Sequence, residues 1–203
     1  MTTKEKILRT SLKLFAQNGY EAVSVSQIAS ELGITKGAIY KHFESKRHIF
    51  DSILRHMEQR DAQQAAAHGL IPELSQDHAA TTSEEHFTDN LIEFSLAMFQ
   101  YWTEDEFASD FRKMLTLEQY CSSEMNKLYQ QYLASGPLQY VSNLFRAIGM
   151  DRQTADRKAE VFYGPMFLFY SCYDGAENDC RKQEIKKAFE HHLENMKNME
   201  CMK

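Results

Sequence analysis

The chain has 203 residues, of which 43% are hydrophobic and 26% are charged, a composition that is ordinary for a globular protein. The longest strongly apolar run, Val161 to Cys172, is too short to cross a bilayer, and the N-terminus shows no targeting signal, so we expect a cytoplasmic protein without a membrane partner. The net charge of −6 is unevenly divided: residues 1–50 hold 8 basic and 4 acidic residues, and the other 153 hold 15 and 25. A basic end on an acidic body predicts that one end faces DNA and that DNA repels the other.

The first predicted helix runs roughly from Thr3 to Asn18. Thr2 followed three residues later by Glu5 is a capping-box pattern, which marks the start of a helix. Apolar residues recur inside the segment at helical spacing and predict one buried face. Gly19 is a natural end, because glycine adopts the left-handed conformation at little cost.

A second and a third helix follow at close spacing. Ser24 followed by Gln27 repeats the capping-box pattern, and Gly33 ends the helix that begins there. Thr35 caps a third helix that runs from Lys36 to about Phe43. Two short helices joined by a glycine turn match a helix-turn-helix, whose second helix enters the major groove of DNA with its N-terminal residues leading.

The third helix has a low intrinsic helix propensity. Gly37 in its first turn costs up to about 1 kcal/mol relative to alanine, which is understandable if the backbone there must approach DNA closely. Lys36, Tyr40 and Lys41 present hydrogen-bond donors on the exposed side. Taken alone, each lysine is an ordinary surface lysine of a capped helical hairpin, and it is the order of caps, glycine, aromatic and basic residues that favours DNA contact.

The stretch from Ile7 to Phe50, about a quarter of the chain, resembles the DNA-binding domain of the TetR family of regulators. The residues that carry the resemblance are Ile7-Leu8, Leu14-Phe15, Gly19-Tyr20, Ser24-Val25, Ile28-Ala29, Leu32-Gly33, Gly37 to Phe43, Lys46 and Ile49-Phe50. The resemblance implies an all-α fold of about nine helices. Residues 1–48 would form a three-helix helix-turn-helix domain, and residues 49–203 a larger helical domain for ligand binding and dimerisation.

The resemblance also implies which residues touch DNA. The implied set is Ser24, Val25, Thr35, Lys36, Gly37, Ala38, Tyr40, Lys41, His42 and Lys46. Thr35 would bond a phosphate, and the three residues after it would lie against base edges or thymine methyl groups. Tyr40, Lys41 and His42 would contact phosphates. The implied residues at the starts of the second and fourth helices would also bond phosphates, with the helix dipole behind Lys46.

The rest of the chain is predicted to continue as helices. Ser45 caps a long fourth helix that reaches about His68, and the polar stretch from Gly69 to Ser83 is the best linker candidate. Further helices are predicted over 84–102, 104–120, 122–147, 152–174 and 180–199.

Aromatic and methionine side chains recur at helical spacing in these later helices. They either fill a helical core or line a pocket for a small apolar or aromatic ligand, and spacing does not separate the two interpretations. The candidate ligand-binding residues are Phe94, Met98, Tyr101, Trp102, Phe111, Tyr129 and Tyr132.

The segment from Val161 to Tyr173 is apolar on nearly every side. A helix without a polar face must be buried all round, either within one chain or against a second copy. This segment and the last helix resemble the dimer-forming helices of the TetR family, which pair with their mates as a four-helix bundle. The candidate residues of a homodimer interface are Phe162, Tyr163, Met166, Phe167, Tyr170, Phe189 and His192.

Cofactor chemistry and catalysis find little support in the sequence. None of the four cysteines forms a C-x-x-C pair, so neither a zinc knuckle nor a thioredoxin-like site is indicated, and we expect reduced thiols. The adjacent His191 and His192 would point about 100° apart on a helix and could not chelate one ion together. No P-loop, G-x-S-x-G, H-E-x-x-H or glycine-rich nucleotide motif is present, so we expect neither a cofactor nor an enzyme.

Together these observations predict a transcription regulator, in the first instance a repressor that leaves its near-palindromic operator when a small molecule binds the C-terminal domain. A homodimer would place two recognition helices about one helical turn apart along the DNA. Two alternatives stay open: a ligand-independent DNA-binding protein, and a regulator that responds to haem or a metal.

Overall fold

The computed structural model describes residues 1–68 and 84–198, and every regular element within those ranges is an α-helix. The helices are α1 Thr3–Asn18, α2 Val25–Glu31, α3 Lys36–Tyr40, α4 Lys46–His68, α5 Glu84–Glu104, α6 Glu106–Glu118, α7 Ser123–Leu133, α8 Ser135–Ala147, α9 Arg152–Asp174 and α10 Asp179–Asn198. The predicted all-α fold is therefore confirmed. No helix in the described ranges is long and apolar enough to cross a membrane. The predicted linker, Gly69 to Ser83, lies outside the described residues.

Local sequence signals set both ends of α1, as predicted. The Thr2 N–H donates to the Glu5 carboxylate at 2.7 Å, and the Glu5 N–H donates back to the Thr2 hydroxyl at 3.2 Å. This is the expected capping box, which satisfies two backbone donors reciprocally. Gly19 ends the helix with a φ of 83°, and its N–H donates to the Phe15 carbonyl at 2.9 Å.

The first compact unit comprises residues 1–64 and 104–130. In this unit α1 packs along α6, and the apolar faces of both helices are buried. The buried apolar residues are Ile7, Leu8, Leu12 and Phe15 from α1 and Phe107, Phe111, Met114 and Leu115 from α6. Burying one side chain of this size contributes about 1.5–3 kcal/mol. The N-terminal helices therefore share a core with a helix that begins far along the chain.

The first compact unit extends beyond residue 48, and the division into a DNA-binding and a ligand-binding domain at that residue stays a prediction. The buried stripe of α4 continues beyond that residue through Ile49, Phe50, Ile53 and Met57. Helix α6 and most of α7, which come after residue 100 in the chain, also belong to the unit. Periodicity locates helices and their apolar faces, but it does not say which distant helix covers which face.

The second compact unit comprises residues 65–103 and 131–203. Among its described residues, α9 packs against both α8 and α10. The ring of Phe99 is stacked on that of Tyr170 at a centroid distance of 5.4 Å and lies 4.5 Å from that of Phe189. Such pairs add to the area that aromatic side chains bury. At least part of the aromatic content seen in the sequence therefore serves the core.

The prediction of one helix over 122–147 is wrong, because the structure has two helices there, α7 and α8. Ala134 separates them with a φ of −127° and a ψ of −97°, outside the helical region. Pro137, three residues later, has no N–H to donate to the carbonyl four residues before it, and its ring crowds that carbonyl. The proline therefore overrides the apolar periodicity.

Candidate nucleic-acid interface

The helix-turn-helix predicted from the sequence is formed by α2 and α3. The Ser24 hydroxyl accepts the Gln27 N–H at 3.2 Å, and the Gln27 side chain accepts the Ser24 N–H at 2.7 Å. Gly33 turns the chain with a φ of 63°, in the left-handed region that favours glycine. The Thr35 hydroxyl accepts the Ala38 N–H at 3.2 Å and caps α3. The predicted caps and turn are thus confirmed.

Helix α3 is shorter than predicted. It ends at Tyr40, and a turn follows in which the N–H groups of His42 and Phe43 both donate to the Ile39 carbonyl, at 2.9 and 3.0 Å. The Ile39 and Phe43 side chains are buried. These two side chains hold one side of the segment 36–43 against the first compact unit and leave its other side exposed to solvent.

Most of the implied DNA-contact residues lie on the exposed surface of this segment. The exposed ones are Ser24, Thr35, Lys36, Gly37, Tyr40, Lys41 and His42. Ala38 is half-buried and Val25 is buried. The implied Val25 contact uses its backbone N–H, which burial of the side chain does not prevent. The structure thus collects the exposed residues on one helical hairpin, and their contact with DNA stays a prediction.

Lys36 and Tyr40 form one continuous surface. The Lys36 ammonium lies 5.7 Å from the centre of the Tyr40 ring, within the range of a cation–π interaction. Tyr40 is 45% exposed. A large aromatic side chain that keeps this exposure beside a lysine is suited to contact a charged partner rather than to fill a core.

Lys46 has a different environment from the one the resemblance implies. Its ammonium donates to the carbonyl of Tyr20 at 2.9 Å and to that of Glu21 at 3.4 Å. It also lies 3.6 Å from the Glu21 carboxylate. The side chain therefore ties the start of α4 to the loop between α1 and α2, and a phosphate contact from Lys46 stays a prediction.

An ion pair that sequence reasoning missed joins α4 to α7. The Arg47 guanidinium donates to Asp51 at 2.7 Å and makes a forked contact with Glu124 at 2.6 and 2.9 Å. The hydrogen bonds to Glu124 and Asp51 raise the pKa of Arg47 above its usual range. The Arg47–Asp51 pair has i,i+4 spacing and could have been found in the sequence. Glu124 carries no such signal, because it lies 77 residues away.

Gly37→Ala separates stability from DNA binding. An added Cβ at Gly37 would meet only the Thr35 hydroxyl oxygen, at 3.9 Å, which is an ordinary contact. We expect the free energy of unfolding to rise by up to about 1 kcal/mol, because alanine favours the helix. Operator affinity should fall, because the methyl group would stand where the backbone is predicted to approach the duplex. Urea unfolding and gel shifts measure the two effects.

The matched control for this experiment is Gly33→Ala. Because Gly33 has a φ of 63°, alanine there should lower the free energy of unfolding by about 1 kcal/mol or more. Undiminished operator affinity in Gly37→Ala would remove Gly37 from the interface.

The candidate ligand-binding residues divide between the two units. Phe111 and Tyr129 belong to the first, and the second contains Phe94, Met98, Tyr101, Trp102 and Tyr132. Four of the seven are buried: Tyr101, Trp102, Phe111 and Tyr132. A cavity of about 740 Å³ at the α9–α10 turn is lined by none of the seven, and Cys172 and Cys180 are among its walls. A ligand pocket made by the candidate residues stays a prediction.

The candidate dimer residues are mostly inside the second unit. Buried within the chain are Phe162, Met166, Tyr170 and Phe189, and half-buried are Tyr163, Phe167 and His192. The large apolar side chains of α9 that stay exposed are Val161 and Leu168, at 46% and 63%. These two lie seven residues apart and therefore on one face of the helix. These two residues therefore form an exposed apolar surface on α9, and a dimer interface made by the candidate residues stays a prediction.

Metal ligands are not gathered in the part of the chain that the structure describes. No group of three or more His, Cys, Asp or Glu side chains is placed there to hold an ion. Cys121, Cys172 and Cys180 are free thiols and are exposed. Cys201 lies outside the described residues.

The fold and the site define a class of protein, an all-helical chain that begins with a helix-turn-helix. A family model described as bacterial regulatory proteins, tetR family, matches residues 7–53. This match confirms the resemblance to the TetR family that the N-terminal part of the sequence shows.

Two curated relatives share the N-terminal part of the chain. The uncharacterized HTH-type transcriptional regulator YerO of Bacillus subtilis (strain 168) is 56% identical over 43 residues, which are 21% of this chain and 15% of that protein. The HTH-type transcriptional repressor AcnR of Corynebacterium diphtheriae is 32% identical over 68 residues, which are 34% of this chain and 36% of that protein. The matched segments cover 15% of YerO and 36% of AcnR, so the chain spans little more than a third of the length of these relatives.

Solved structures resemble the chain over nearly its whole length. A transcriptional regulator from Aquifex aeolicus VF5 has a TM-score of 0.66 at 18% identity, over 96% of this chain and 99% of that one. A transcriptional regulator from Saccharomonospora viridis, solved in complex with choline, has a TM-score of 0.60 at 21% identity, over 94% of this chain and 95% of that one. At these identities the similarity shows the fold alone.

Proposed function

We propose that this protein is a sequence-specific DNA-binding transcription regulator, a repressor that a small-molecule ligand releases from its operator. One observation carries the proposal. The segment that matches the family model, residues 7–53, forms a capped helix-turn-helix, and the lysine, tyrosine and histidine side chains of its second helix and the turn after it are exposed. The relative named as a repressor supports the sign of the regulation. No residue has a catalytic role in this proposal.

Helix α3 is the recognition helix in this proposal. Lys36 and the two residues after it face base edges in the major groove, where each base pair presents a distinct pattern of donors and acceptors. Tyr40, Lys41 and His42 bond phosphates, which fix the register of the helix on the duplex. The basic N-terminal part of the chain draws the protein to DNA, and the acidic remainder is repelled by it.

Two copies act together in the proposal. The exposed apolar face of α9 at Val161 and Leu168 supports association with a second chain, because an exposed apolar surface is stabilised by burial. A two-fold dimer matches a near-palindromic operator, since each half-site meets the same recognition helix.

A ligand bound in the C-terminal helical domain would favour a state in which the two recognition helices no longer match the spacing of the half-sites. Such control requires that the ligand bind the two states with different affinities. The aromatic content of the second unit supports a small apolar or aromatic ligand. The choline complex of the Saccharomonospora protein supports a small-molecule role for this fold without identifying the ligand of this chain.

Selection from random duplex oligonucleotides tests the DNA-binding role directly. We expect enrichment of a near-palindromic sequence. Affinity for it should fall by about 10³- to 10⁵-fold between 50 and 200 mM salt if 6–10 phosphates are contacted, because counterions are released on binding. If the selected oligonucleotides show no sequence preference, the proposal is wrong. An affinity that does not change with salt concentration would contradict the phosphate contacts.

A ligand-independent DNA-binding protein is the second candidate, and one observation favours it. Four of the seven candidate pocket residues are buried in the packed units, as core residues would be. A thermal-shift screen of apolar and aromatic compounds separates the candidates, because a ligand that binds the native state raises the melting temperature. A compound that raises it and also releases operator DNA supports the ligand-controlled repressor. A screen in which no compound releases the operator favours the second candidate.

A further inference from the structure

Glu118, the last residue of α6, carries a carboxylate into the interior of the first unit, with only 4% of its surface exposed. A buried carboxylate is unfavourable unless hydrogen-bond donors satisfy it. Its Oε1 accepts the backbone N–H of Tyr20 at 2.7 Å. This bond joins α6 to the loop between α1 and α2, which lies 98 residues earlier in the chain.

Tyr20 is held from a second helix as well. Its carbonyl accepts a hydrogen bond from the Lys46 ammonium at 2.9 Å, and that ammonium lies 4.2 Å from the centre of the Tyr20 ring. The ring also packs against those of Phe15 and Phe50, each at a centroid distance of 5.1 Å. The backbone of Tyr20 is therefore held at two points: its N–H bonds the Glu118 carboxylate of α6, and its carbonyl bonds the Lys46 ammonium of α4.

The space beside the carboxylate admits no side chain on the loop. Gly19 has a φ of 83°, and a Cβ added there would lie 2.8 Å from Oε1 of Glu118. The loop backbone can approach the carboxylate this closely because residue 19 has no side chain. The contact is thus specific in position as well as in hydrogen bonding.

A shift of Tyr20 would be passed on to the helix-turn-helix. The Val23 N–H donates to the Tyr20 carbonyl at 3.4 Å, and the Val23 side chain is buried. Ser24, the next residue, is the cap from which α2 begins. The connection from Tyr20 to α2 is therefore a short turn with little slack.

We infer that Glu118 is a positioning residue for DNA binding: its carboxylate oxygen fixes the loop between α1 and α2, and through it the orientation in which α2 and α3 are presented. The inference rests on the proposed DNA-binding function. Glu118 is buried and lies outside the exposed recognition surface, so it acts on DNA only through the loop that it holds.

Two conservative variants separate the position of the acceptor from its charge. Glu118→Gln keeps an oxygen at the same reach and removes the charge, whereas Glu118→Asp keeps the charge and withdraws the oxygen by one methylene. We expect Glu118→Asp to lose at least about tenfold in operator affinity and Glu118→Gln to stay within about threefold of the parent. Glu106→Asp, at an exposed position in the first turn of the same helix, is the matched control and should change nothing.

Hydrogen exchange at the Tyr20 amide reports the contact without DNA. In Glu118→Asp we expect this amide to exchange at least about tenfold faster than in the parent, with near-parental exchange in Glu118→Gln. Lys36→Ala links the contact to DNA in a double-mutant cycle. If Glu118 orients α3, removing Lys36 must cost less affinity in the Glu118→Asp background than in the parent.

Each outcome has a defined meaning. Parental exchange and affinity in Glu118→Asp, equal losses in both variants, or strict additivity with Lys36→Ala would overturn the inference and leave the proposed function intact. If Glu118→Asp does not fold, a folded Glu118→Gln decides, since loss of Tyr20 protection or of affinity in that variant also overturns it. A parent protein that prefers no DNA sequence would remove the function and the inference together.

Discussion

Lys36→Ala and Tyr40→Ala should each weaken specific operator binding by at least about 30-fold while the protein keeps its fold and its oligomeric state. Both side chains are exposed, and the Lys36 ammonium lies 5.7 Å from the centre of the Tyr40 ring. Each substitution therefore removes one of the two side chains that form this surface. A good contact to DNA is worth about 1–3 kcal/mol. A homodimer makes it twice, so the loss should fall between about 30-fold and 10⁴-fold.

Gel shifts on the selected operator measure this loss, and sedimentation shows the oligomeric state. Tyr120→Ala is the matched control for the tyrosine, because Tyr120 is 88% exposed in the same unit but lies outside the helix-turn-helix. Lys187→Ala, at an exposed position on α10, is the control for the loss of one positive charge. If Lys36→Ala and Tyr40→Ala bind the operator as tightly as the parent, α3 is not the recognition helix.

The helix-turn-helix could be predicted from the sequence because each of its parts is specified within a few residues. The Ser24 and Thr35 caps each act on an N–H three positions later. Gly33 supplies a positive φ in the turn between them. Caps and turns of this kind can be predicted without knowing the tertiary contacts, because they depend on the backbone geometry near one residue.

Contacts between distant residues could not be predicted in this way. The sequence places Lys46 at the start of α4 but does not show that its ammonium bonds a carbonyl 26 residues earlier. It likewise gives no sign that Glu118 accepts the Tyr20 N–H. Nor does the sequence show that α6, from far along the chain, packs along α1 and completes the core of the first unit.

Helical periodicity was also insufficient on α9, where apolar residues occupy nearly every side. The sequence alone offered two ways to bury them, inside the chain or against a second copy. The structure divides the residues between these possibilities: Phe162, Met166 and Tyr170 are inside, whereas Val161 and Leu168 face out. The dimer hypothesis therefore now rests on a smaller and different set of side chains from the one that the sequence offered.

Leu168→Glu should convert the proposed dimer into a folded monomer. Leu168 is 63% exposed in the single chain, so a carboxylate there is hydrated in the monomer and does not disturb the core. In a two-fold dimer formed through this face, two carboxylates would be buried near one another, and each unpaired buried charge costs several kcal/mol. The dissociation constant of the dimer should rise by at least about 10³-fold, which sedimentation equilibrium measures.

Tyr120→Glu is the matched control, since it places the same carboxylate at an exposed apolar position of the first unit and should leave the dimer unchanged. Because the monomer keeps its helix-turn-helix, Leu168→Glu should still bind a half-site weakly, with about half the salt dependence of the parent, as one chain contacts half of the phosphates. It should lose the advantage that two linked sites give on a full operator. Lys36→Ala has the opposite pattern, a dimer whose DNA binding is strongly weakened. A Leu168→Glu protein that sediments as the parent does would move the interface away from this face of α9.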